Sequence, residues 1–311
     1  MKLLKSLRRQ LIKVFLTLFF FWDKELQKKL RWALNAISVP QLLKRTIQYY
    51  TKHPKEFKYN LSLCICVKDE AKYIQEWLEY YLIQGVDHFY IYNNNGTDNT
   101  QEIIQKYIDN GIVSWITYPG PDKQIEIYNH AVQNFKWETR WLGFMDIDEF
   151  IVPLKHATLK EAMKDYEDFS QLRIHWILYG SSGHKDETPG LVIERFTKHQ
   201  SGVNELTKSI LNPRACLYAN VHAGLVLGKS VDEYKRVYEE GKTPATADIL
   251  CVNHYVIKSW EEYARKKNRG RADLNCGNLT DEFFMAHDRN EVDEPEFMRK
   301  YVEQIYERLV Q

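Results

Sequence analysis

Four short apolar runs, residues 61–67, 86–92, 112–117 and 141–146, recur at nearly even intervals, and segments of helical periodicity separate them. The runs are rich in β-branched, aromatic and aliphatic residues, the composition of short buried strands. Between the first two, Ala71, Ile74, Trp77, Leu78, Tyr81 and Leu82 fall at three- and four-residue spacings and Gly85 supplies a stop, which predicts a helix over 69–84. Asp98 or Asn99 can cap a second helix whose Ile103, Ile104, Tyr107 and Ile108 form one stripe before Gly111. A third is predicted over 123–135, with Ile127, Tyr128, Ala131, Val132 and Phe135 inward. Strands alternating with helices require right-handed crossovers, hence an α/β fold with a mostly parallel sheet covered on both faces. Such a sheet binds ligands beyond the carboxyl ends of its strands.

At that end of the fourth run stands Asp146-Ile147-Asp148-Glu149-Phe150. Closely spaced carboxylates after a buried strand can hold a hard divalent cation against a substrate phosphate. That chemistry suits a nucleotide-sugar transferase. A haloacid-dehalogenase-type phosphohydrolase also uses D-x-D, but after its first strand and followed by Thr, where this chain has Phe150. A nucleotidyltransferase of related fold and a non-catalytic, membrane-associated carbohydrate-binding protein are the alternatives that remain.

Further pieces stand in a fixed order along the chain: Val67-Lys68-Asp69-Glu70, Glu76-Trp77-Leu78, Gly85-Val86, Tyr90-Ile91-Tyr92-Asn93, Asp98, Gln124, the D-x-D-E run, Gly180-Ser181-Ser182-Gly183-His184, Glu194-Arg195-Phe196, Lys208-Ser209-Ile210 and His254-Tyr255. In that order they resemble glycosyltransferase family 92 and its bacterial relatives, over residues 60–271. The resemblance implies a GT-A fold related to glycosyltransferase family 2, Rossmann-like with helices on both sides of the sheet. It also implies a nucleotide-sugar donor, most simply a UDP-sugar, a Mn2+ or Mg2+ ion at D-x-D, and inversion at the anomeric carbon. Characterised members include galactosyltransferases, and the expected setting is surface polysaccharide or glycan synthesis.

With that framework the candidate site can be assigned. Asp148 is expected to coordinate the metal, with Asp146 contacting the donor ribose or a metal-bound water and His254 as an additional ligand. Val67, Lys68, Glu70, Asn93, Asn94, Asp98 and Gln124 are expected around the nucleotide. Lys208, ahead of Lys258 and Arg271, is expected to stabilise the departing diphosphate. An inverting transfer needs a base within reach of the acceptor hydroxyl, and Glu194 and His184 are the candidates, ahead of Asp186 and Glu187. Trp176 and Tyr179, near the glycine loop, are candidate stacking platforms.

The near-neutral whole hides an asymmetry. Up to Tyr59 the chain carries 14 Lys or Arg against three acids, a net +11, while the remainder is −10. Residues 14–22, VFLTLFFFW, are strongly apolar but far short of the ~20 needed to span a bilayer. A basic, aromatic-rich segment of this kind suits peripheral docking on anionic lipid; no nucleic-acid-binding motif stands out. Five cysteines without C-x-x-C spacing favour a reduced, cytoplasmic compartment, with the cytoplasmic face of the inner membrane as the expected docking surface. The expected organisation is a basic helical extension (1–59), a catalytic domain (60–271) and a helical tail (272–311). The expected partners are a nucleotide-sugar and a glycan or lipid-linked acceptor.

Overall fold

The computed structural model describes residues 38–269 and 279–310. Helix α1 (Val39–Thr51) leads into β1 (Tyr59–Val67), α2 (Ile74–Ile83), β2 (His88–Asn93), α3 (Thr100–Ile103), α4 (Gln105–Asp109), β3 (Val113–Thr117), α5 (Gln124–Phe135) and β4 (Thr139–Phe144). The chain continues through β5 (Glu149–Pro153), α6 (Leu159–Ala162), β6 (Gln171–Leu178), α7 (Val192–Arg195), β7 (Lys198–His199), β8 (Asn204–Leu211), β9 (Cys216–Ala219), β10 (Gly224–Val226) and β11 (Ser230–Val231). It closes with β12 (Leu250–His254), α8 (Trp260–Arg269), α9 (Asp281–His287), β13 (Val292–Asp293) and α10 (Arg299–Leu309).

The four runs predicted as strands are β1 to β4, and they pair in parallel in the order β3-β2-β1-β4. Beyond β4 the sheet changes character. Strand β8 inserts antiparallel between β4 and β6, β12 lies parallel to β6, and β5 closes the edge antiparallel to β12. The sheet is therefore mostly parallel, with an antiparallel seam directly beside the D-x-D strand. Apolar side chains pack both faces: Trp77, Leu78 and Tyr81 of α2 belong to one core, Ile127, Tyr128 and Ala131 of α5 to the other.

Several boundaries differ from expectation. The first helix begins at Ile74 rather than 69, because Asp69 takes a left-handed backbone (φ 53°) and the Ala71 N–H is claimed by the Asp98 carboxylate at 2.9 Å. The second predicted helix is two short pieces that still bury Ile104 and Tyr107. Met298, Tyr301, Val302 and Ile305, at the start of and along α10, join the same core as β1 and α2. Nor does α1 stand apart, since Leu42 enters the second core and the buried Arg45 donates to the Leu217 carbonyl.

The apolar run 14–22, Arg271 and Cys276 lie outside the described residues. Among the described residues no helix is long and apolar enough to cross a membrane, and no disulfide joins the four cysteines.

Candidate active site

Strand pairing brings the chemistry together. Because β8 runs antiparallel to β4 with Phe144 opposite Ser209, Lys208 lies just beyond the end of β4, where Asp146 follows. Because β12 runs antiparallel to β5 with His254 opposite Glu149, and the Tyr255 N–H donates to the Asp148 carbonyl at 2.8 Å, His254 arrives beside Asp148. Asp146, Asp148 and His254 border a cleft of about 270 Å³ at the carboxyl ends of the parallel strands, lined also by Gln124, Lys266 and Arg269 among others.

Each carboxylate of the D-x-D pair faces a lysine. Lys208 Nζ, wholly buried, lies 2.6 Å from Asp146 Oδ2 and 3.2 Å from Glu149 Oε2. Gln124 Nε2 donates to the other Asp146 oxygen at 2.9 Å, and the Asp146 N–H donates to Glu149 Oε2. Lys266 Nζ lies 2.6 Å from Asp148 Oδ2, and His254 Nε2 is 3.5 Å from Asp148 Oδ1. Burial works to raise both aspartate pKa values. The ammonium of Lys208 reverses this for Asp146, and Lys266 with His254 holds Asp148 well below the usual carboxylate range. Glu149 responds differently: burial, opposed by Lys208 but reinforced by the two aspartates, pushes it up to about 8. His254 is held below the ordinary imidazole value, chiefly by burial, which favours the neutral ring a metal ligand needs.

The loops after β1 and β2 form the cleft's other wall. Arg269 pairs with the buried Glu70 at 2.7 Å and donates to the Asp69 carbonyl, while Lys68 Nζ donates to the Arg269 carbonyl. The Asp69 carboxylate accepts from Thr97 and Asp98 N–H groups and so ties the two loops together.

Of the residues expected around the nucleotide, Lys68, Glu70, Gln124 and Asp146 line the cleft, and Val67, Asn93, Asn94, Asp98 and Lys208 do not. Asn94 holds the Tyr118 and Gly120 carbonyls, Asn93 accepts from the Gly96 N–H, and Asp98 caps the turn at Ala71 and Thr100. Their role is to shape loops. Lys208 has no exposed surface, so its charge acts through Asp146 and Glu149 instead of on a diphosphate directly. Lys258 is buried, stacked over the Tyr73 ring at 4.6 Å. Trp176 lines the cleft, with its ring 4.3 Å from that of His254, whereas Tyr179 is buried against Tyr255.

The two base candidates are not brought to the cleft. Glu194 is exposed on α7 and accepts from the Tyr306 hydroxyl of α10 at 2.6 Å. His184 packs edge-on against Phe196, and Glu187 pairs with Lys72 and Arg265. Glu194 is placed by the docking of α7, whose first N–H groups, from Val192 and Ile193, are accepted by the buried Glu76 carboxylate of α2, and His184 by a loop whose Ser181 and Ser182 N–H groups donate to Asp288 and Asn290. Sequence reasoning missed Lys266, Arg269 and His222. The first two stand three apart on α8, a spacing that puts them on one helical face and was available as a signal.

Helix α8 is itself pinned by a bidentate pair, Arg195 to Glu262 at 2.8 and 2.9 Å, with Ser259 and Tyr73 hydroxyls on the same carboxylate. Burial raises the Glu262 pKa, but Arg195, Ser259 and Tyr73 outweigh it and set the value to about 2, below the ordinary 4.5. A depressed folded-state value means stability present above pH 4.5 and lost as pH falls toward 2, about 3 kcal/mol in all. Wild type should therefore be more stable than Glu262→Gln at pH 7, with the gap closing as pH falls from 5 to 3 in urea unfolding. A gap independent of pH refutes this role.

The sequence profile described as Glycosyltransferase family 92 matches residues 59–281. A family 92 protein of Oryza sativa subsp. japonica is 24% identical over 254 residues, 80% of this chain and 41% of the relative. The beta-1,4-galactosyltransferase galt-1 of Caenorhabditis elegans is 23% identical over 235 residues, 70% of this chain and 53% of the relative. The chain thus spans about two fifths to one half of the length of these curated relatives. Among solved structures, that of S. aureus TarS 1-349 in complex with UDP is similar at 18% identity and a TM-score of 0.35, covering 50% of this chain and 47% of that one.

Proposed function

The chain belongs to glycosyltransferase family 92, and from that premise we propose that it transfers a sugar, galactose in the first instance, from a UDP-sugar to a glycan or lipid-linked hydroxyl. The observation that carries this reading is the pair of D-x-D carboxylates in one cleft at the carboxyl ends of the parallel strands, faced by His254, Lys266 and Arg269. Galactose is proposed because galt-1 and other relatives are named as galactosyltransferases.

A divalent cation fits this donor set. Asp148 Oδ1 and His254 Nε2 are 3.5 Å apart, a span that two ligands of one ion can have. Among the described residues no cluster of three or more His, Cys, Asp or Glu side chains forms. The protein would then supply two ligands, in keeping with ions that take one or two carboxylates and complete their shell with substrate phosphate and water. Asp146, whose oxygens are occupied by Gln124 and Lys208, is a positioning residue rather than a direct ligand. A bound Mn2+ or Mg2+ supplies charge neutralisation for the diphosphate. Around it the chain's own residues orient and balance charge: Lys266 and Arg269 present cations to the phosphates, Glu70 and the Asp69 carbonyl fix Arg269, and Gln124 with Lys208 fixes Asp146.

Hydrolysis of a panel of UDP-sugars, with Mn2+ and with EDTA, tests the reading. Release of UDP and free sugar, with UDP-galactose the best donor, is the expected result. Absence of turnover and of UDP binding overturns it, and release of UMP points to the nucleotidyltransferase alternative.

The proposed setting is the cytoplasmic face of an anionic membrane. Helix α1 turns Leu42 and Arg45 inward and leaves Leu43, Ile47 and Tyr50 exposed along one outer stripe. It follows a segment with nine Lys or Arg against two acids in residues 1–37. Basic residues near such a surface contribute on the order of 1 kcal/mol each, in a salt-sensitive way. The full chain is expected to co-sediment with phosphatidylserine-containing vesicles at low salt and to be released by high salt, and a chain beginning at Ser38 to bind much less. Equal recovery of both rejects this setting.

A further inference from the structure

His222 lies between β9 and β10, in the turn closed by the Asn220 N–H donating to the Ala223 carbonyl, and reaches across to β8. Its Nδ1 is 3.1 Å from the Thr207 carbonyl oxygen. A carbonyl can only accept, so Nδ1 carries the hydrogen and the lone pair of the neutral ring is left on Nε2. Among the described residues Nε2 has no hydrogen-bond partner. The side chain lines the same cleft as Asp146 and Asp148, and the Trp176 ring lies edge-on to it at 5.2 Å. Trp176 therefore separates two histidines of different employment, with His254 toward Asp148 on one side and His222 on the other.

The carboxylates of the cleft and its histidine beside Asp148 are committed elsewhere. Asp146, Asp148 and Glu70 each face a cation, and His254 turns Nε2 toward Asp148. His287 is stacked on Phe283 at 3.9 Å in α9 and donates within its own helix, which leaves it as the one competing imidazole. We propose that His222 is the general base of the transfer, receiving the acceptor proton at Nε2.

This rests on the glycosyl-transfer reading above. In the step, the acceptor oxygen forms its bond to the anomeric carbon while the bond from that carbon to the diphosphate oxygen breaks. The bonding pair leaves with UDP, and the acceptor proton passes to Nε2 and then to water. Burial, and next the Lys208 ammonium, hold this imidazole below its ordinary value against the opposing Thr207 carbonyl and Asp146, so the ring is neutral at pH 7. The charged groups facing it are Lys208 on β8, Arg173 on β6 and Asp146 after β4.

The test uses the full chain with Mn2+ and UDP-galactose, reading transfer to water and to a β-1,4-galacto-oligosaccharide. His222→Gln and His222→Ala should lower kcat at least about a hundredfold, the low end for a general base, with the Kd for UDP unchanged within about twofold. The acidic limb of the wild-type kcat profile should vanish in His222→Gln, and added imidazole should restore part of the His222→Ala rate. His287→Ala should retain the acidic limb, which separates the two imidazoles. Retention of the rate in His222→Gln, an intact acidic limb, or loss of UDP affinity equal to the loss of rate overturns the assignment. If the wild type neither binds UDP nor turns over any UDP-sugar, the glycosyl-transfer reading falls and this one with it; if it transfers and the His222 variants do too, only the base is wrong.

Discussion

Replacing Asp148 by asparagine is expected to lower metal-dependent donor turnover by at least about a hundredfold and, separately, to destabilise the protein. The first effect follows from its place in the cleft: it offers Oδ1 beside His254 Nε2, and the amide that replaces it is a far weaker partner for a divalent cation. The size matches the loss of one preorganised electrostatic group at a reacting centre, roughly a hundredfold to a thousandfold. The second effect follows from burial. Asp148 is the counter-charge of Lys266 and the leading acidic neighbour of the buried Lys258, so neutralising it removes the ion-pair partner of the first and leaves the second to Glu70 and Glu262. Breaking a fully buried pair costs about 3–5 kcal/mol. Lys266 is partly exposed and can turn to water, which reduces the expected cost to about 2 kcal/mol. Steady-state kinetics with UDP-galactose and urea unfolding of the same preparation check both parts. Full turnover in Asp148→Asn would remove the residue from the site, and unchanged stability would show that the lysines relax without it.

Lys208→Met is expected to have the larger effect on folding. Its ammonium is wholly buried and shared between Asp146 and Glu149. Burial disfavours its charge, but the two carboxylates outweigh burial and hold its pKa above the ordinary lysine value. Removing it leaves the buried Glu149 and the partly exposed Asp146 facing each other; a fully buried pair would cost about 3–5 kcal/mol, and the exposure of Asp146 reduces this to about 3 kcal/mol at pH 7. The sign of the pH dependence is the sharper test. In the wild type, Glu149 already titrates near 8, above its ordinary 4.5, so its contribution is fully present below pH 4.5 and is lost as pH rises through about 8. Without Lys208 both Glu149 and Asp146 should move upward, so the deficit of Lys208→Met should be greatest at pH 8 and shrink toward pH 5. Adding Glu149→Gln should recover part of it. Urea midpoints at the two pH values decide the matter; a deficit that is the same at both, or larger at pH 5, contradicts the arrangement.

The acid-side prediction for Glu262 runs in the opposite direction because its partners outweigh burial, whereas for Glu149 burial dominates. The two measurements together therefore separate a carboxylate that stabilises the fold as an anion from one that stabilises it as an acid. They also probe different parts of the cleft: Glu262 fixes the helix that carries Lys266 and Arg269, and Glu149 fixes the Lys208 end.

What the sequence determined by itself was the parallel half and the position of D-x-D within it. Strands β1 to β4 and helices α2 and α5 were legible because periodicity is a local property: apolar residues two or three to four apart bury one face whatever the rest of the chain does. A strand followed by a crossover helix then has essentially one handedness available, which sends the ends of β1, β2 and β4 to the same rim. Asp146, Asp148, Gln124, Lys68 and Glu70 reach the cleft for that reason, and the family resemblance added His254.

Tertiary structure alone decided the rest, and each case turns on long-range pairing. Lys208 becomes a buried counter-charge only because β8 inserts antiparallel beside β4, and His254 reaches Asp148 only through the β12–β5 register. The cations of α8 arrive because Glu262 is clamped by Arg195, a residue 67 positions earlier. Glu194 and His184, attractive for the company they keep in sequence, are held elsewhere, the first by the capping of α7 on Glu76 and the second by a loop tied to Asp288 and Asn290 and packed on Phe196. The tail expected beyond 272 completes the core because Tyr301 and Ile305 cover the aromatic face of α2. His222 carried no sequence signal that distinguished it from other histidines, since what singles it out is which ring nitrogen a distant carbonyl occupies. Local patterning dictates which face of an element is apolar, but the partner that covers it, and the charge that faces a buried acid, depend on contacts whose loop-closure entropy is offset only when the whole sheet forms.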